Sequence, residues 1–168
     1  MKRQKGFSLI ELLIVVAIIL IIAAIAIPNL LRAKIAANEA SAVGSMRTIV
    51  TSEVAYASAG WTSGGQPIGF SAALGDLGGS VCNPPTATAT CLIDPVLSGA
   101  TANTTPKSGY YFTYAPGPAG ASNHTTFDLR GAPAAPGQTG NRYFYADASG
   151  VIRFNPSASA GPSDTALQ

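Results

Sequence analysis

The segment Lys5–Asn29, KGFSLIELLIVVAIILIIAAIAIPN, is strongly apolar and carries a single carboxylate, Glu11. Its apolar part, Phe7–Ile27, has 21 residues. As an α-helix rising about 1.5 Å per residue it reaches roughly 31 Å, enough to cross the hydrocarbon core of a bilayer. Because an unpaired carboxylate in lipid is costly, ionisable residues in such segments usually have a function. The role of Glu11 is therefore the central question that this sequence poses.

Three basic residues, Lys2, Arg3 and Lys5, precede the apolar segment. By the positive-inside rule they keep the N-terminus in the cytoplasm, so that the rest of the chain lies outside. One interpretation is a cleaved signal peptide with a cleavage site at residues 24–26 (AIA), although the apolar stretch exceeds the roughly 7–15 residues of such peptides. Another is a plain membrane anchor, which explains the length of the segment and leaves Glu11 unexplained.

The longer segment Lys5–Lys34, KGFSLIELLIVVAIILIIAAIAIPNLLRAK, resembles the N-terminus of type IV pilins and of the related pseudopilins. The shared features are a short basic leader that ends in Gly6, then Phe7, and then Glu11 at the fifth position of the mature chain. The resemblance implies that residues 1–6 are a prepilin leader and that a prepilin peptidase cleaves between Gly6 and Phe7. It also implies that the new amino group of Phe7 is methylated.

The resemblance gives Glu11 a role in assembly. Phe7 and Glu11 are four residues apart and share a helix face. In a fibre, a neighbouring subunit shifted along the axis can offer the cationic amine of its own Phe7 to this carboxylate. In a low-dielectric core an unpaired charge is expensive, so the pair would set the register of the subunits. The alternative is that Glu11 only reaches to the membrane interface.

Pro28 lies at the end of the apolar segment. Because proline lacks an amide hydrogen, the carbonyl of Ala24 loses its helical partner, and we expect a kink or a loosened helix at this point. We expect residues 7–28 to form the transmembrane or filament-core half of a long helix, and residues 29–58 to form its amphipathic half.

The amphipathic half carries apolar residues at helical spacing, which predicts a face that packs on a globular domain. Glu39 and Glu53 are expected mainly off this face. The predicted apolar stripe consists of Ile35, Ala42, Val43, Met46, Ile49, Val50 and Val54.

Residues 59–108 begin with a run of glycines and proline that ends the helix, and they predict a long connecting region. Cys82 and Cys91 lie within it, separated by eight residues that include two prolines. For an exported chain a disulfide between them is favoured over two free thiols. A zinc site needs about four ligands, and His124 is the only histidine in the sequence. We therefore predict no metal.

Residues 109–155 predict an antiparallel sheet of about four strands, because aromatic and β-branched residues alternate with smaller ones. The segment AAPGQTGNRYFYADASGVIR is similar to the closing hairpin of pilins with small globular domains. Residues 156–168 have no apolar pattern and predict a flexible tail. The fold class is therefore α+β. The resemblance implies the pilin fold, a long N-terminal helix packed on a C-terminal antiparallel sheet. The expected strands are 109–117, 124–131, 142–147 and 150–154.

The composition and motifs argue against several classes of protein. Without the leader, seven Lys and Arg side chains face eight Asp and Glu, and the cations are scattered singly. Nucleic-acid binding, which needs grouped cations, is therefore not expected. The sequence lacks a recognisable nucleophile motif or dinucleotide motif, and His124 is expected to be a surface residue. We predict no catalytic residues and no cofactor.

The resemblance implies a structural subunit of a type IV pilus, a filament used for adhesion, motility or DNA uptake. Its partners would be further copies of itself, the prepilin peptidase, a pilus assembly ATPase and platform, and the inner membrane. The prepilin would be a single-pass inner-membrane protein with a cytoplasmic N-terminus, and the mature subunit would lie in an extracellular pilus. Two alternatives remain: a type II secretion pseudopilin that forms a periplasmic pseudopilus, and a monomeric membrane-anchored binding module.

Overall fold

The computed structural model describes residues 7–80, 82–118 and 120–167. The leader residues 1–6, with Gly6 at the expected cleavage site, lie outside the described residues. The chain forms two compact units, Met1–Lys34 and Ile35–Gln168.

One long helix, α1, spans Leu9–Ser58 and confirms the predicted N-terminal helix. In the first unit every described side chain except that of Ala23 is exposed. By length and composition α1 could cross a membrane, and none of its most apolar stretch is buried. Pro28 lies inside α1, and the helix continues past it. The kink expected at Pro28 remains a prediction.

In the second unit α1 buries one face against the globular domain. Of the predicted stripe, Met46 and Ile49 are fully buried, whereas Val54 is 55% exposed. The prediction that Glu39 and Glu53 lie off this face is wrong, because they are 6% and 0% exposed. With them included, the buried positions alternate in steps of three and four residues, the spacing of one helix face. The face comprises Glu39, Ala42, Met46, Ile49, Glu53 and Tyr56.

A five-stranded antiparallel sheet covers this face, which confirms the predicted helix-then-sheet order. The sheet has one strand more than expected, and the strands follow each other in chain order, each paired with the next. Aromatic side chains that alternate along the strands supply much of the core, as the sequence pattern predicts. The strands are β3 (Tyr110–Gly117), β4 (Thr126–Pro133), β5 (Tyr143–Asp147), β6 (Arg153–Asn155) and β7 (Thr165–Ala166).

The outer edge of β3 is largely occupied by the chain itself. Tyr110 exchanges backbone hydrogen bonds with Lys107, at 2.8 and 3.0 Å. The amide of Phe112 donates to the carbonyl of Ala100 at 2.7 Å. Pro116 has no amide hydrogen to offer. The edge of the longest exposed strand is therefore blunted against pairing with another strand.

The connecting region contains four short elements, which the sequence pattern did not predict. A two-stranded hairpin, β1 (Thr62–Ser63) and β2 (Gln66–Pro67), follows the end of α1. A 3₁₀-helix spans Leu74–Leu77, and α2 spans Pro95–Ser98. The side chains of both short helices reach the core, since Leu74, Leu77 and Leu97 are at most 2% exposed.

The segment predicted as a flexible tail is partly ordered into the fold. Thr165–Ala166 pairs with β6 as the fifth strand, and the Leu167 amide donates to the Ile152 carbonyl at 2.7 Å. Ala160 is 1% exposed. Backbone pairing and contacts of Asp164 with Arg153 and Asn155 hold the segment on the sheet.

Candidate functional site

The start of α1 places the carboxylate of Glu11 beside its own chain. Glu11 Oε2 accepts a hydrogen bond from the Ser8 amide at 2.9 Å, and the carbonyl of Ser8 accepts from the Leu12 amide at 3.3 Å. The first amides of a helix have no partner within it, and a glutamate three residues after a serine can satisfy one of them. The Ser-x-x-Glu pattern at residues 8–11 is the sequence signal from which this contact could be predicted.

Phe7 lies just before the helix and is 80% exposed. In the uncleaved chain its nitrogen belongs to a peptide bond, so a cationic partner for Glu11 at this position exists only after cleavage. The pairing of Glu11 with the Phe7 amine of another subunit therefore remains a prediction. The hydrogen bond to Ser8 shows that Glu11 also has a local partner within one chain.

The first unit presents a continuous apolar surface. Its leucine, isoleucine and valine side chains from Leu9 to Leu31 are between 45% and 79% exposed. Soluble monomers rarely expose apolar patches larger than a few hundred Å², so a surface of this kind marks a membrane or a protein partner. The small residues Ala17, Ala23, Ala24 and Ala26 would let neighbouring helices approach closely.

Glu39 joins α1 to the chain just before β5. Its Oε1 accepts from the amides of Asn141 and Arg142 at 2.9 and 3.2 Å, and its Oε2 accepts from Arg142 Nε at 2.7 Å. Burial by itself raises the pKa of Glu39, but these donors and the guanidinium charge outweigh it and hold the pKa below its ordinary value. Glu39 is therefore ionised in the folded domain at neutral pH.

Glu53 lies further along the same face and has a different environment. Its carboxyl contacts the Ser71 amide at 3.0 Å and the Ser71 hydroxyl at 2.6 Å. Burial raises the pKa of Glu53 more than these hydrogen bonds lower it. The pKa values of the two glutamates are therefore shifted in opposite directions. Glu39 contacts a cation, whereas Glu53 contacts neutral donors.

Cys82 and Cys91 form a disulfide, with 5.9 Å between their Cα atoms, as the sequence predicts. The loop they close is tied to α1, because the Tyr56 hydroxyl donates to the Ala87 carbonyl at 2.8 Å. It is also tied to the 3₁₀-helix, because the Cys91 amide donates to the Gly78 carbonyl at 3.0 Å.

His124 is not the surface residue that the sequence analysis expects. It is 9% exposed, and its amide and carbonyl bond to Ile68 and Phe70 at 2.6 and 2.9 Å. Among residues 7–80, 82–118 and 120–167, no group of three or more His, Cys, Asp or Glu side chains could hold a metal ion.

Comparisons with known proteins point to the same segment. The family model described as the prokaryotic N-terminal methylation motif matches residues 1–27. The type IV wide pilus major component PilA4 of Thermus thermophilus is 64% identical over 39 residues, which are 23% of this chain and 30% of that protein. The type IV major pilin protein PilA of Myxococcus xanthus is 43% identical over 54 residues, which are 32% of this chain and 24% of that protein.

These matches cover 30% and 24% of the two relatives, so this chain spans only part of the length of the curated proteins that it matches. No solved structure matches it.

Proposed function

We propose that this chain, which carries the N-terminal methylation motif and whose relatives are type IV pilins, is a structural subunit of a type IV pilus. The observation that supports this most strongly is the combination of that motif with a long helix whose apolar half is not buried against the rest of the chain. A surface of this kind needs lipid before assembly and other helices after it.

The prepilin is inserted in the inner membrane with residues 1–6 in the cytoplasm, because its leader is basic. A prepilin peptidase cleaves between Gly6 and Phe7, and the Phe7 amine is methylated. Assembly by an ATPase and membrane platform then moves the subunit from the bilayer into an extracellular fibre. The Phe7 amine of one subunit meets Glu11 of another.

Charge pairing at this point has a physical rationale. In the filament core, surrounded by apolar side chains, an isolated carboxylate or amine is strongly unfavourable. A subunit at the wrong axial position would leave both Glu11 and the Phe7 amine unpaired. The pair thereby favours one register over its neighbours.

Intact mass and N-terminal fragmentation of the chain in a sheared extracellular fraction test the proposal. We expect a chain that starts at N-methylated Phe7 and lacks two hydrogens because of the Cys82–Cys91 bond. A methylated chain that is found only in the membranes, and not in the sheared extracellular fraction, would instead support a type II secretion pseudopilin. A chain that retains Met1–Gly6 would indicate a simple anchored module, and a start after Ala26 would indicate an ordinary signal peptide. Each of these last three results contradicts the proposal.

A further inference from the structure

Glu53 and its partner Ser71 make four short polar contacts with each other and with Ala73 and Tyr114. The Ser71 amide lies 3.0 Å from Glu53 Oε2, and Ser71 Oγ lies 2.6 Å from Glu53 Oε1. Ser71 Oγ is also 3.1 Å from the Ala73 carbonyl oxygen, and the Tyr114 hydroxyl is 3.1 Å from the Ser71 carbonyl oxygen. All four distances fall in the hydrogen-bond range.

The number of hydrogens available for these contacts favours a protonated Glu53. The Ser71 amide, the Ser71 hydroxyl and the Tyr114 hydroxyl have one hydrogen each, which makes three for four contacts. The single hydrogen of the Ser71 hydroxyl can be donated either to the Glu53 carboxyl or to the Ala73 carbonyl. Turning the Tyr114 hydrogen towards Glu53 would take it from the Ser71 carbonyl. A proton on Glu53 Oε1 supplies the fourth hydrogen, because Glu53 then donates to Ser71 Oγ, and Ser71 Oγ donates to Ala73.

We propose that Glu53 is a neutral acid in the folded domain and forms a proton-dependent latch between α1 and the segment around Ser71. The latch is closed while Glu53 carries its proton. It weakens when the proton is lost, because Ser71 Oγ–H must then choose between a buried carboxylate and the Ala73 carbonyl. This inference concerns the globular domain and does not depend on the proposed function.

The groups around Glu53 favour the neutral form. The charged neighbour that acts on it in the described part of the chain is Asp76, whose own carboxylate accepts from the amides of Ala72 and Ala73 at 3.2 and 2.9 Å. The other titratable neighbours are Tyr56 on α1 and Tyr114 on β3, which are neutral at physiological pH. A hydrogen bond from the Tyr114 hydroxyl lowers the pKa of Glu53, but burial raises this pKa by more. Among the residues that the structure describes, no cation offsets a negative charge at Glu53, which is 0% exposed. Burial of such a charge without a partner is unfavourable.

The same helix face contains a matched counterexample. Glu39 is almost as deeply buried, but it contacts two amides and a guanidinium. The two sites therefore respond to pH in opposite directions. A carboxyl whose pKa is raised by folding contributes stability below its unfolded pKa and loses it as the pH rises through the folded pKa. A carboxyl whose pKa is lowered contributes stability above its unfolded pKa and loses it as the pH falls through the folded pKa.

Carbon-13 NMR of the full-length chain in detergent micelles, labelled at the glutamate side-chain carboxyl, tests the proposal directly. The sequence has three glutamates, Glu11, Glu39 and Glu53, so three signals are expected, and the Glu39→Gln and Glu11→Gln variants assign them by elimination. At about pH 6 an ordinary glutamate is ionised. We expect the Glu53 signal at the position of the protonated acid and the Glu39 signal at that of the carboxylate. A Glu53 signal at the carboxylate position at this pH would overturn the proposal.

The pH dependence of unfolding is a second, independent readout. As the pH rises above the ordinary glutamate value, the Glu53 term increases the unfolding equilibrium constant by up to about tenfold per pH unit until the folded pKa is reached. The Glu53→Gln side chain can donate to Ser71 Oγ and accept from the Ser71 amide, and we expect it to fold and to lose this slope. The Glu39→Gln variant should keep it. Equal slopes in the wild type and in Glu53→Gln would exclude the latch.

Discussion

Arg142 Nε lies 2.7 Å from Glu39 Oε2 and joins two parts of the chain that are 103 residues apart. The same guanidinium lies 5.6 Å from the ring centroids of both Phe144 and Phe154. Arg142 therefore connects α1 to strands β5 and β6, which carry Phe144 and Phe154. The ion pair lies near the start of the helix segment that the globular domain buries.

Replacement of Arg142 by glutamine should destabilise the globular domain by about 2 kcal/mol, because it leaves the Glu39 side chain, which is 8% exposed, without its cation. This is less than the roughly 3–5 kcal/mol of a fully buried pair, since the Arg142 side chain is 37% exposed. The loss should shrink as the pH falls, since protonated Glu39 no longer needs a cation, and the pKa of Glu39 should move up towards or above its ordinary value. Denaturant unfolding followed by near-UV circular dichroism at several pH values measures both effects.

Lys107→Met is the matched control for this pair. Lys107 Nζ lies 2.6 Å from Asp94 Oδ2, but the side chains are 28% and 47% exposed. A pair that is open to solvent contributes at most about 1 kcal/mol. The variant retains the hydrogen bond that the Leu97 amide donates to Asp94 Oδ1, which caps α2. If Lys107→Met and Arg142→Gln had equal effects, burial would not be the reason for the contribution of the Glu39–Arg142 pair.

Gly140→Ala should destabilise the domain, whereas Gly44→Ala should stabilise it. A Cβ atom at Gly140 would collide with the Tyr110 hydroxyl, which donates to the Arg142 carbonyl at 2.8 Å. Such overpacking typically costs about 1–3 kcal/mol. A Cβ atom at Gly44 meets nothing within 4 Å, so the helix gains about 1 kcal/mol from the better helix former. Thermal unfolding of the two variants gives shifts of opposite sign if this reasoning holds.

Removal of the disulfide by Cys82→Ser and Cys91→Ser should reduce the free energy of unfolding by about 2–3 kcal/mol, the chain-entropy value for a loop of this size. The contacts of the loop with Tyr56 and Gly78 do not involve the bond, so the folded structure should persist. Chemical unfolding of the wild type with and without reductant provides the comparison. A reductant effect that persists in the double variant would show that it does not arise from this disulfide.

Two substitutions at Glu11 separate its local role from its role between subunits. Glu11→Gln keeps an oxygen that can accept from the Ser8 amide but removes the charge, whereas Glu11→Ala removes both. If the charge pair with Phe7 governs assembly, both variants should be cleaved and methylated normally and both should give few fibres. The yield of sheared fibres, normalised to mature subunit in the membrane, is the measurement. Wild-type yield from Glu11→Gln would contradict charge pairing and assign the role of Glu11 to the helix start.

Much of the fold could be predicted from the sequence because its signals are local. The apolar run of residues 7–27, the breakers after Ser58 and the alternating strands each specify an element within a few residues. The Cys82–Cys91 disulfide could be predicted because the two cysteines are close in sequence and the chain is expected to be exported. Helix α2 also had a readable signal, with Asp94 as N-cap, Pro95 at the first helical position and Gly99 after the end. That signal was missed because the helix has a single turn.

The buried glutamates could not be predicted from apolar periodicity alone. Counting Glu39 and Glu53 as polar places them outside the stripe, although their spacing from Met46 is seven residues in each direction. Polar partners from distant parts of the chain allow these glutamates to be buried. Arg142 is the partner of Glu39, and Ser71 is the partner of Glu53. Partners about 100 and about 20 residues away in sequence are visible only once the chain is folded.

The blunted edge of β3 affects how subunits could be stored before use. A bilayer holds its proteins at high effective concentration and in a common orientation, conditions under which an open eight-residue strand edge would recruit the edge of its neighbour. Once formed, such continuous sheets are very difficult to reverse. Lys107 and Ala100 pair with that edge, and Pro116 within β3 offers no amide hydrogen. If the chain is stored in a bilayer as proposed, its globular domains could therefore crowd side by side and still separate, and the pool of subunits would stay exchangeable.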